Sequence, residues 1–225
     1  MRKLFVGVVL LVLSAHSALA GNNAGQAFSL WPDTGQTKCY NDSVRIPCPV
    51  EGGDFYGQDA QYNGPVRSYA SLAGGMVQDN VTGLVWEMKE RMDSAADYTN
   101  PHDADNTYTW CDSDSNTNGG YAGTCGANDT KGFLAALNIA NFGGHNDWRL
   151  PTIKELATLV DLSQSAPAID PVFAATIQSS HYWSSTTNAQ NSQYAWLVQF
   201  PYGSSDSLNG KKSSDHYVCA VRGGQ

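Results

Sequence analysis

The pattern of apolar and polar positions predicts a helix in the middle of the chain. Thr152 and Glu155 have the T-x-x-E spacing of a capping box, in which each side chain accepts a hydrogen bond from the other's backbone N–H. The helix is therefore predicted to begin at Ile153 and to run to about Leu162. Its apolar positions recur at i, i+3 and i+4, as on a helix with one face in the core: Leu156, Leu159 and Val160.

A second helix is predicted upstream of the first. Asp129 or Thr130 is its N-cap, and the pair Gly143-Gly144 ends it. The residues expected along its apolar face are Phe133, Leu134, Leu137 and Ala140.

Strand patterns lie on either side of these helices. The segments MVQD and LVWE flank a turn over residues 80–83, which is typical of a β-hairpin, and regular structure is predicted to begin there, at Met76. Further on, YWSST and QYAWLVQF are predicted to pair, and the chain closes with a short strand in YVCAVR. Within QYAWLVQF the residues that alternate on one apolar face are Tyr194, Trp196, Val198 and Phe200.

The order hairpin, helix, helix, antiparallel strands predicts an α+β fold with two helices. Residues 88–128 are mostly polar loop, and residues 201–216 are expected to project as a long loop before the final strand. Residues 21–70 have many Gly, Pro, Asn and Asp residues and little periodicity, which predicts an irregular N-terminal extension. We therefore divide the chain into residues 1–20, 21–70 and 71–225.

Residues 1–20 have the pattern of a secretory signal peptide. Arg2 and Lys3 precede an apolar run over residues 4–13, and the tripeptide ALA at residues 18–20 supplies small residues before a cleavage site. The apolar run is shorter than the roughly 20 residues of a permanent membrane-spanning helix. We therefore expect a chain without a transmembrane segment that is exported to the periplasm or the extracellular space and starts near Gly21.

The charge of the chain argues against one class of partner. Without the signal peptide, 11 basic and 21 acidic side chains remain, a formal net charge of −10 at neutral pH. An acidic chain with few lysine or arginine clusters does not suit binding to nucleic acid or to anionic lipid. Six tryptophans and 11 tyrosines predict a scaffold held together by aromatic packing.

Five cysteines in an exported chain indicate a partial disulfide framework. The simplest arrangement pairs Cys39 with Cys48 and Cys111 with Cys125, because each pair brackets a short polar loop, and it leaves Cys219 unpaired. Other pairings stay open, since the sequence alone does not fix the connectivity. The chain contains no C-x-x-C or HExxH motif that would predict a zinc site.

Six segments, in this order, resemble a known family: DNVTGLVWE, NDWRLPTIKELATLVD, PAIDPVF, YWSST, AWLVQF and the ending YVCAVRGGQ. They are similar to the Lcl C-terminal domain family, which is named after the end of a bacterial collagen-like adhesin. The earlier segments GQTKCYND and YGQDAQY are similar to the region that precedes this domain in the family. The resemblance therefore covers nearly all of the chain after the signal peptide.

The resemblance implies a C-type-lectin-like fold, related to that of formylglycine-generating enzymes, in which the first and last strands pair. It also implies that Arg149 and Arg222 bind backbone carbonyls or a buried carboxylate. The tryptophans that it places in the core are Trp86, Trp148, Trp183 and Trp196.

This fold carries unrelated activities, so function has to be argued from a site. Some proteins with the fold and a similar ending are targets of diversity-generating retroelements, and Cys219 here replaces an arginine of the family's ending. Ser, Asn, Asp and Tyr on a rigid scaffold suit an adaptable recognition surface, although a solvated loop without specificity is the alternative. We therefore expect an exported bacterial domain for ligand binding or adhesion, with a protein or glycan partner. The expected binding residues are Thr187, Asn188, Gln190, Ser192, Tyr202, Ser204, Ser205, Asp206, Ser213, Ser214, Asp215 and His216.

The segment CDSDSNTNGG is a second candidate binding feature. Its oxygen-bearing side chains alternate along the loop: Asp112, Asp114, Asn116 and Asn118. Calcium prefers such ligands, but the loop lacks the glycine and the acidic residue that an EF-hand needs at its sixth and twelfth positions. Calcium stays open as an alternative to the preferred interpretation, an Asx-rich turn closed by Cys111 and Cys125 that requires no cofactor.

Two other functions stay open. The segment RLPT before a helix resembles formylglycine-generating enzymes, but these use paired reactive cysteines or a histidine-ligated metal, and this chain ends with only Cys219 and His216. No G-x-S-x-G motif indicates a hydrolase, so we expect no enzymatic activity. The other alternative is a structural subunit of a surface assembly that uses an acidic face or the tyrosine-rich extension, and the sequence does not fix the oligomeric state.

Overall fold

The computed structural model describes residues 31–90 and 92–224, so the predicted signal peptide lies outside the described residues. Within these ranges the strands are β1 (Cys39–Tyr40), β2 (Arg45–Ile46), β3 (Tyr69–Leu72), β4 (Met76–Asp79), β5 (Val85–Glu87), β6 (Tyr108–Thr109), β7 (His181–Thr187), β8 (Ala195–Gln199), β9 (Ser204–Asp206), β10 (Asp215–His216) and β11 (Val221–Arg222). The helices are α1 (Thr130–Ile139), α2 (Ile153–Ala157) and α3 (Pro171–Ala174). The predicted α+β class is confirmed. None of the helices in these ranges has the length and apolar character to cross a membrane.

The first large sheet has the strand order β11-β5-β4-β3 with antiparallel pairs. The predicted hairpin is confirmed as β4 and β5, and the Asp79 carboxylate closes its turn by accepting from the Val81 N–H at 2.8 Å. The prediction that regular structure begins at Met76 is wrong, because β3 already starts at Tyr69 and pairs with β4. No side chain of β3 is fully buried, which explains why its sequence lacks a strand pattern. The last strand, β11, pairs with β5 rather than with the first strand of the sheet, which corrects the pairing that the resemblance implied.

The second large sheet has the order β7-β8-β9 and is also antiparallel. The predicted pairing of YWSST with AWLVQF is confirmed by β7 and β8. The prediction of a single apolar face on β8 is wrong, since Leu197 packs in one core cluster while Val198 and Phe200 pack in the other. Trp196, which was expected in the core, is only partly buried.

Both predicted helices begin as expected. Asp129 is the N-cap of α1, and its Oδ1 accepts from the Gly132 N–H at 2.6 Å. The complete capping box of Thr152 and Glu155 precedes α2, which begins at Ile153. The structure adds a third helix, α3, whose N-cap is Asp170 and whose first residue is a proline, a residue favoured at that position.

The prediction that α2 continues to about Leu162 is wrong, and side chains explain its early end at Ala157. The Thr158 hydroxyl donates to the Glu155 carbonyl at 2.6 Å. The Arg67 guanidinium donates to the carbonyls of Thr158 and Val160, so these carbonyls are satisfied without further helix. The chain then leaves the helix, and the Asp161 N–H donates to the Ala168 carbonyl at 3.2 Å.

Two clusters of buried apolar side chains form the core. The first joins both large sheets to α2 and includes Trp86, Leu156 and Tyr182. The second packs α1 against the second sheet and includes Phe133 and Trp183. Three of the four tryptophans expected in the core are therefore confirmed, namely Trp86, Trp148 and Trp183, and Trp110 is a buried tryptophan that was not predicted.

The segment before β3 has little regular structure beyond β1 and β2. It contacts the loop after α2, where the Leu162 N–H donates to the Thr34 carbonyl at 2.7 Å. Arg67 adds its bonds to the end of α2, so this segment is tied to the rest of the protein by polar contacts.

Candidate functional site

The two predicted disulfides are confirmed. Cys39 is bonded to Cys48 beside β1, and Cys111 is bonded to Cys125, which closes the loop before α1. Cys219 is unpaired and fully buried, and burial raises the pKa of its thiol well above the ordinary value. We call residues 111–125 the disulfide loop.

The four residues considered for calcium lie on the disulfide loop and bond within it. Asp112 Oδ1 accepts from the Asp114 N–H, and Asp114 Oδ1 accepts from the Asn116 N–H, both at 2.9 Å. Asn118 Oδ1 accepts from the Gly120 N–H at 2.8 Å. These are consecutive Asx-turns, as the preferred interpretation of the sequence expects.

Calcium binding at this loop stays an open alternative. Among the described residues, three side chains of the metal-ligating type come together at Cys111, Cys125 and Asp129. Both cysteines of this group are joined in the disulfide, so neither offers a thiolate.

The first part of the expected binding surface is the turn between β7 and β8. The Thr187 hydroxyl donates to the Asn118 carbonyl at 3.2 Å, and Asn188 Nδ2 donates to the Ser207 hydroxyl at 2.9 Å. These side chains therefore hold neighbouring loops together. Gln190 is exposed and Ser192 is partly exposed.

The second part is β9, the outer strand of its sheet. Ser204 and Ser205 are exposed, whereas the Asp206 carboxylate accepts from the N–H groups of Leu208 and Asn209 in the following turn. Burial alone would raise the pKa of Asp206, but these hydrogen bonds outweigh it and lower the pKa below its ordinary value. Two large side chains next to this strand, Tyr202 and Leu208, are 78% and 86% exposed.

The third part lies around β10, which pairs with β6. The His216 ring is 4.6 Å from the Trp183 ring, between centroids, and its Nε2 lies 2.9 Å from the Asn209 carbonyl oxygen. Burial lowers the pKa of His216. Ser213 and Asp215 are exposed and Ser214 is partly buried.

The expectation that residues 201–216 project as a long loop is wrong. The tract contains β9 and β10, and Gly210 between them packs closely on β8. The Ala195 N–H donates to the Gly210 carbonyl at 2.8 Å, and a Cβ on Gly210 would lie 1.9 Å from the Ala195 oxygen. Only glycine fits there without moving the backbone.

Lys212 also holds residues 201–216 in place, through contacts on the side of the disulfide loop. This residue was not identified from the sequence. It is fully buried, and its Nζ donates to the carbonyls of Asn118 and Tyr121 and to the Thr187 hydroxyl, at 2.9 to 3.0 Å. The ammonium group also lies 3.6 Å from the centre of the Trp110 ring. Burial lowers the pKa of Lys212 to about 8.

Lys212 therefore joins the C-terminal tract to the disulfide loop and to β7. No pattern in the sequence indicates this role, because Lys211 and the serines beside Lys212 are typical of a solvated loop.

A cleft of about 560 Å³ opens between the disulfide loop, α1 and the start of α2. Its apolar side chains are Trp110, Leu134 and Leu150. None of the residues expected to bind a partner lines it, whereas Asp112 and Asp114 of the disulfide loop do. Sequence reasoning missed this cleft because its walls come from segments that are distant in the chain.

One wall of the cleft is the ion pair of Arg149 and Glu155. Arg149 donates to both oxygens of the Glu155 carboxylate, at 2.7 and 2.8 Å, and to the carbonyls of Leu150 and Gly223. Burial alone would raise the pKa of Glu155, but the bonds from Arg149 and from the Thr152 N–H lower it. The expectation for Arg149 is thus confirmed. Glu155, its partner in this wall, was identified from the sequence as part of the capping box.

The expectation for Arg222 is wrong. Its Nε donates to the Asp147 carboxylate at 2.8 Å, and that side chain is 53% exposed rather than buried. The pair lies at the surface, where such ion pairs contribute little.

Comparison with known protein families identifies the family to which residues 75–222 are similar. A family model described as the Lcl C-terminal domain matches residues 75–222. The matched range runs from β4 to β11 and contains the disulfide loop, the cleft and the C-terminal tract. No curated protein and no solved structure shows a significant match.

Proposed function

Because this chain belongs to the Lcl C-terminal domain family, we propose that it is an exported bacterial adhesion-type domain that recognises a protein or glycan partner. The two disulfides support export, since such bonds persist in oxidising compartments. We further propose a C-type-lectin-like fold for residues 71–225, supported by the α+β layout with antiparallel sheets and long loops.

The observation that carries the proposal is the ordered backbone of the C-terminal tract. Gly210 and Lys212 hold it against β8 and the disulfide loop, so its exposed side chains stand on a fixed support. Tyr202 and Leu208 flank the exposed serines of β9. A preorganised surface loses less entropy on binding, and an exposed tyrosine offers a large contact area with few rotatable bonds.

The test compares binding to an array of immobilised extracellular-matrix proteins and glycans. The exported chain is compared with the double variant Tyr202→Ala/Leu208→Ala, which removes the two exposed anchors without touching a buried contact. We expect the parent protein to bind at least one spot, and the double variant to bind that spot about tenfold or more weakly, as for interface anchors.

The matched control is Ile139→Ala on α1, since Ile139 is 86% exposed, as Leu208 is. The control should bind as the parent does, and all three proteins should have the same melting temperature. A parent that binds nothing on the array, or a double variant that binds as well as the parent, would contradict the proposal.

We propose that recognition involves no catalysis and requires no cofactor. The burial of Cys219 supports this, because a buried thiol with a raised pKa carries little of the reactive thiolate. Calcium at Asp112, Asp114, Asn116 and Asn118 stays an alternative. A melting temperature that does not change with a chelator would contradict calcium binding.

A structural subunit of a surface assembly is the second candidate, favoured by exposed apolar side chains on the N-terminal extension. Tyr62, Val50 and Val66 are 61%, 79% and 82% exposed. An interaction surface would bury these side chains, if they adjoin one another, against a partner. If this candidate is correct, light scattering should show that the protein associates as its concentration rises, and the double variant Tyr62→Ser/Val66→Ser should abolish this association. A protein that stays monomeric at all concentrations would contradict it.

A further inference from the structure

Most polar groups around the cleft are already satisfied within the protein. The Glu155 carboxylate accepts from Arg149 and Thr152, and Arg149 also donates to two backbone carbonyls. The two oxygens of Asp112 accept from the Asp114 N–H and the Thr117 hydroxyl. These groups form fixed walls of the cleft.

Two groups of opposite charge at the rim keep free bonding capacity. Asp114 is exposed, and its Oδ1 accepts from Asn116, while its Oδ2 has no hydrogen bond to any residue in the described ranges. Lys131 is exposed, and its Nζ donates to the Ser113 hydroxyl at 2.8 Å. No carboxylate of the described part of the chain pairs with this ammonium group.

The position of Lys131 is not explained by helix stability. It lies in the first turn of α1, where the helix dipole disfavours a positive charge. Leu134 follows at i+3 and therefore shares its face of the helix. The helix thus presents a cation at the rim and an apolar side chain inside the cleft.

We propose that this cleft binds a zwitterion with an apolar side chain, that is, a free apolar amino acid or a short peptide with free ends. The ammonium group of the ligand lies near Asp114, and its carboxylate lies near Lys131. Its side chain covers Leu134 and Leu150. The volume of about 560 Å³ lies within the range of small-molecule sites.

The test is isothermal titration of the exported chain with three probes: L-leucine, the dipeptide Leu-Leu and the blocked, uncharged N-acetyl-leucine amide. One of the two zwitterions should bind about tenfold or more tightly than the blocked compound. L-leucine and Leu-Leu separate the two sources of this chemistry, because only the one of matching length should bind well.

Two variants each remove one rim charge: Asp114→Asn, which keeps the bonds that Asp114 Oδ1 accepts from Asn116, and Lys131→Gln, whose shorter side chain gives up the bond to the Ser113 hydroxyl. Each should weaken binding of the preferred zwitterion about fivefold, the upper end for an exposed charge pair. The matched control is Lys154→Gln, an exposed lysine of α2 outside the cleft, which should not change the affinity.

Three results would overturn the inference. They are the absence of binding by both zwitterions up to about 10 mM, equal binding of the blocked compound, and an unchanged affinity in both charge variants. Melting temperatures equal to that of the parent show that each variant is folded.

Discussion

Replacing Lys212 by methionine tests whether this buried ammonium group holds the C-terminal tract to the disulfide loop. Methionine keeps most of the apolar stem and removes the Nζ atom. The Tyr121 carbonyl then loses its bond of 2.9 Å, whereas the Asn118 carbonyl keeps the bond from the Thr187 hydroxyl. The contact of the ammonium group with the Trp110 ring is also lost.

The expected change in the free energy of unfolding combines two losses and one gain. The Tyr121 carbonyl is only part-buried, so the loss of its bond costs at most the roughly 1–3 kcal/mol typical of an unsatisfied buried group, about 1 kcal/mol here, and the lost ring contact costs about 0.5–2 kcal/mol. Removal of a buried charge returns part of its desolvation cost, which the lowered pKa of Lys212 reflects. We therefore expect Lys212→Met to lower the free energy of unfolding by about 2 kcal/mol, which corresponds to a fall of about 4–8 °C in melting temperature.

The assay is urea unfolding at pH 7, followed by tryptophan fluorescence, with Lys211→Met as the matched control. Lys211 is the exposed neighbour, and its substitution should change the free energy of unfolding by less than about 0.5 kcal/mol. A Lys212→Met variant as stable as this control, or more stable than the parent, would refute the reasoning. It would mean that desolvation of the ammonium group outweighs its hydrogen bonds.

A pH series checks the same residue independently. The pKa of Lys212 is about 8 in the folded protein, against 10.5 as the ordinary value, so the unfolded chain binds more protons between these values. Stability from this group is therefore fully present above 10.5 and is lost as the pH falls to about 8. The difference in unfolding free energy between the parent and Lys212→Met should grow as the pH rises from about 8 towards 10, and a constant difference would contradict this.

Glu87→Gln should lower the unfolding free energy by about 3 kcal/mol, because Glu87 lies 3.0 Å from the buried Lys89 ammonium and its loss leaves that charge unpaired. The double variant Glu87→Gln/Lys89→Met should recover most of this loss in urea unfolding, and a purely additive loss would contradict the pairing. Glu155→Gln should reduce the loss of stability in acid. The pKa of Glu155 is lowered, so its contribution is present above the ordinary value of 4.5 and lost as the pH falls below it. An unchanged slope of unfolding free energy between about pH 5 and 3 would argue against it. Asp129→Ala should cost about 1 kcal/mol by removing the N-cap of α1, while Asp129→Asn should retain most of the stability in thermal unfolding; equal losses in both variants would exclude a capping role.

Short-range signals predicted the parts of the fold in which neighbours along the chain also meet in space. The capping box of Thr152, the N-cap Asp129, the β4–β5 hairpin and both disulfides depend on residues that are at most 14 positions apart. Each of these features is stabilised by interactions between residues that are near in the sequence. The sequence pattern therefore predicts them without knowledge of the rest of the fold.

The errors arise where a distant residue decides the local structure. The end of α2 depends on Arg67, which lies 91 residues before Thr158, and the C-terminal tract depends on a bond between Lys212 and Asn118, which are 94 residues apart. Neither partner is marked by periodicity or by a motif. A polar tract with serine and lysine therefore predicts a solvated loop, although here it packs against buried groups.

The disulfide loop connects the two candidate binding surfaces. Asp112 and Asp114 on this loop line the cleft, while the carbonyls of Asn118 and Tyr121 receive Lys212 from the C-terminal tract. The bond between Cys111 and Cys125 and the successive Asx-turns keep these two sets of groups in a fixed relation. A sequence segment that is poor in apolar residues is thus ordered by a covalent bond and by hydrogen bonds, which supply the rigidity that a hydrophobic core supplies elsewhere. For this reason polar loops can carry defined surfaces on this scaffold, and the free charge of Asp114 can be held in place at the rim of the cleft.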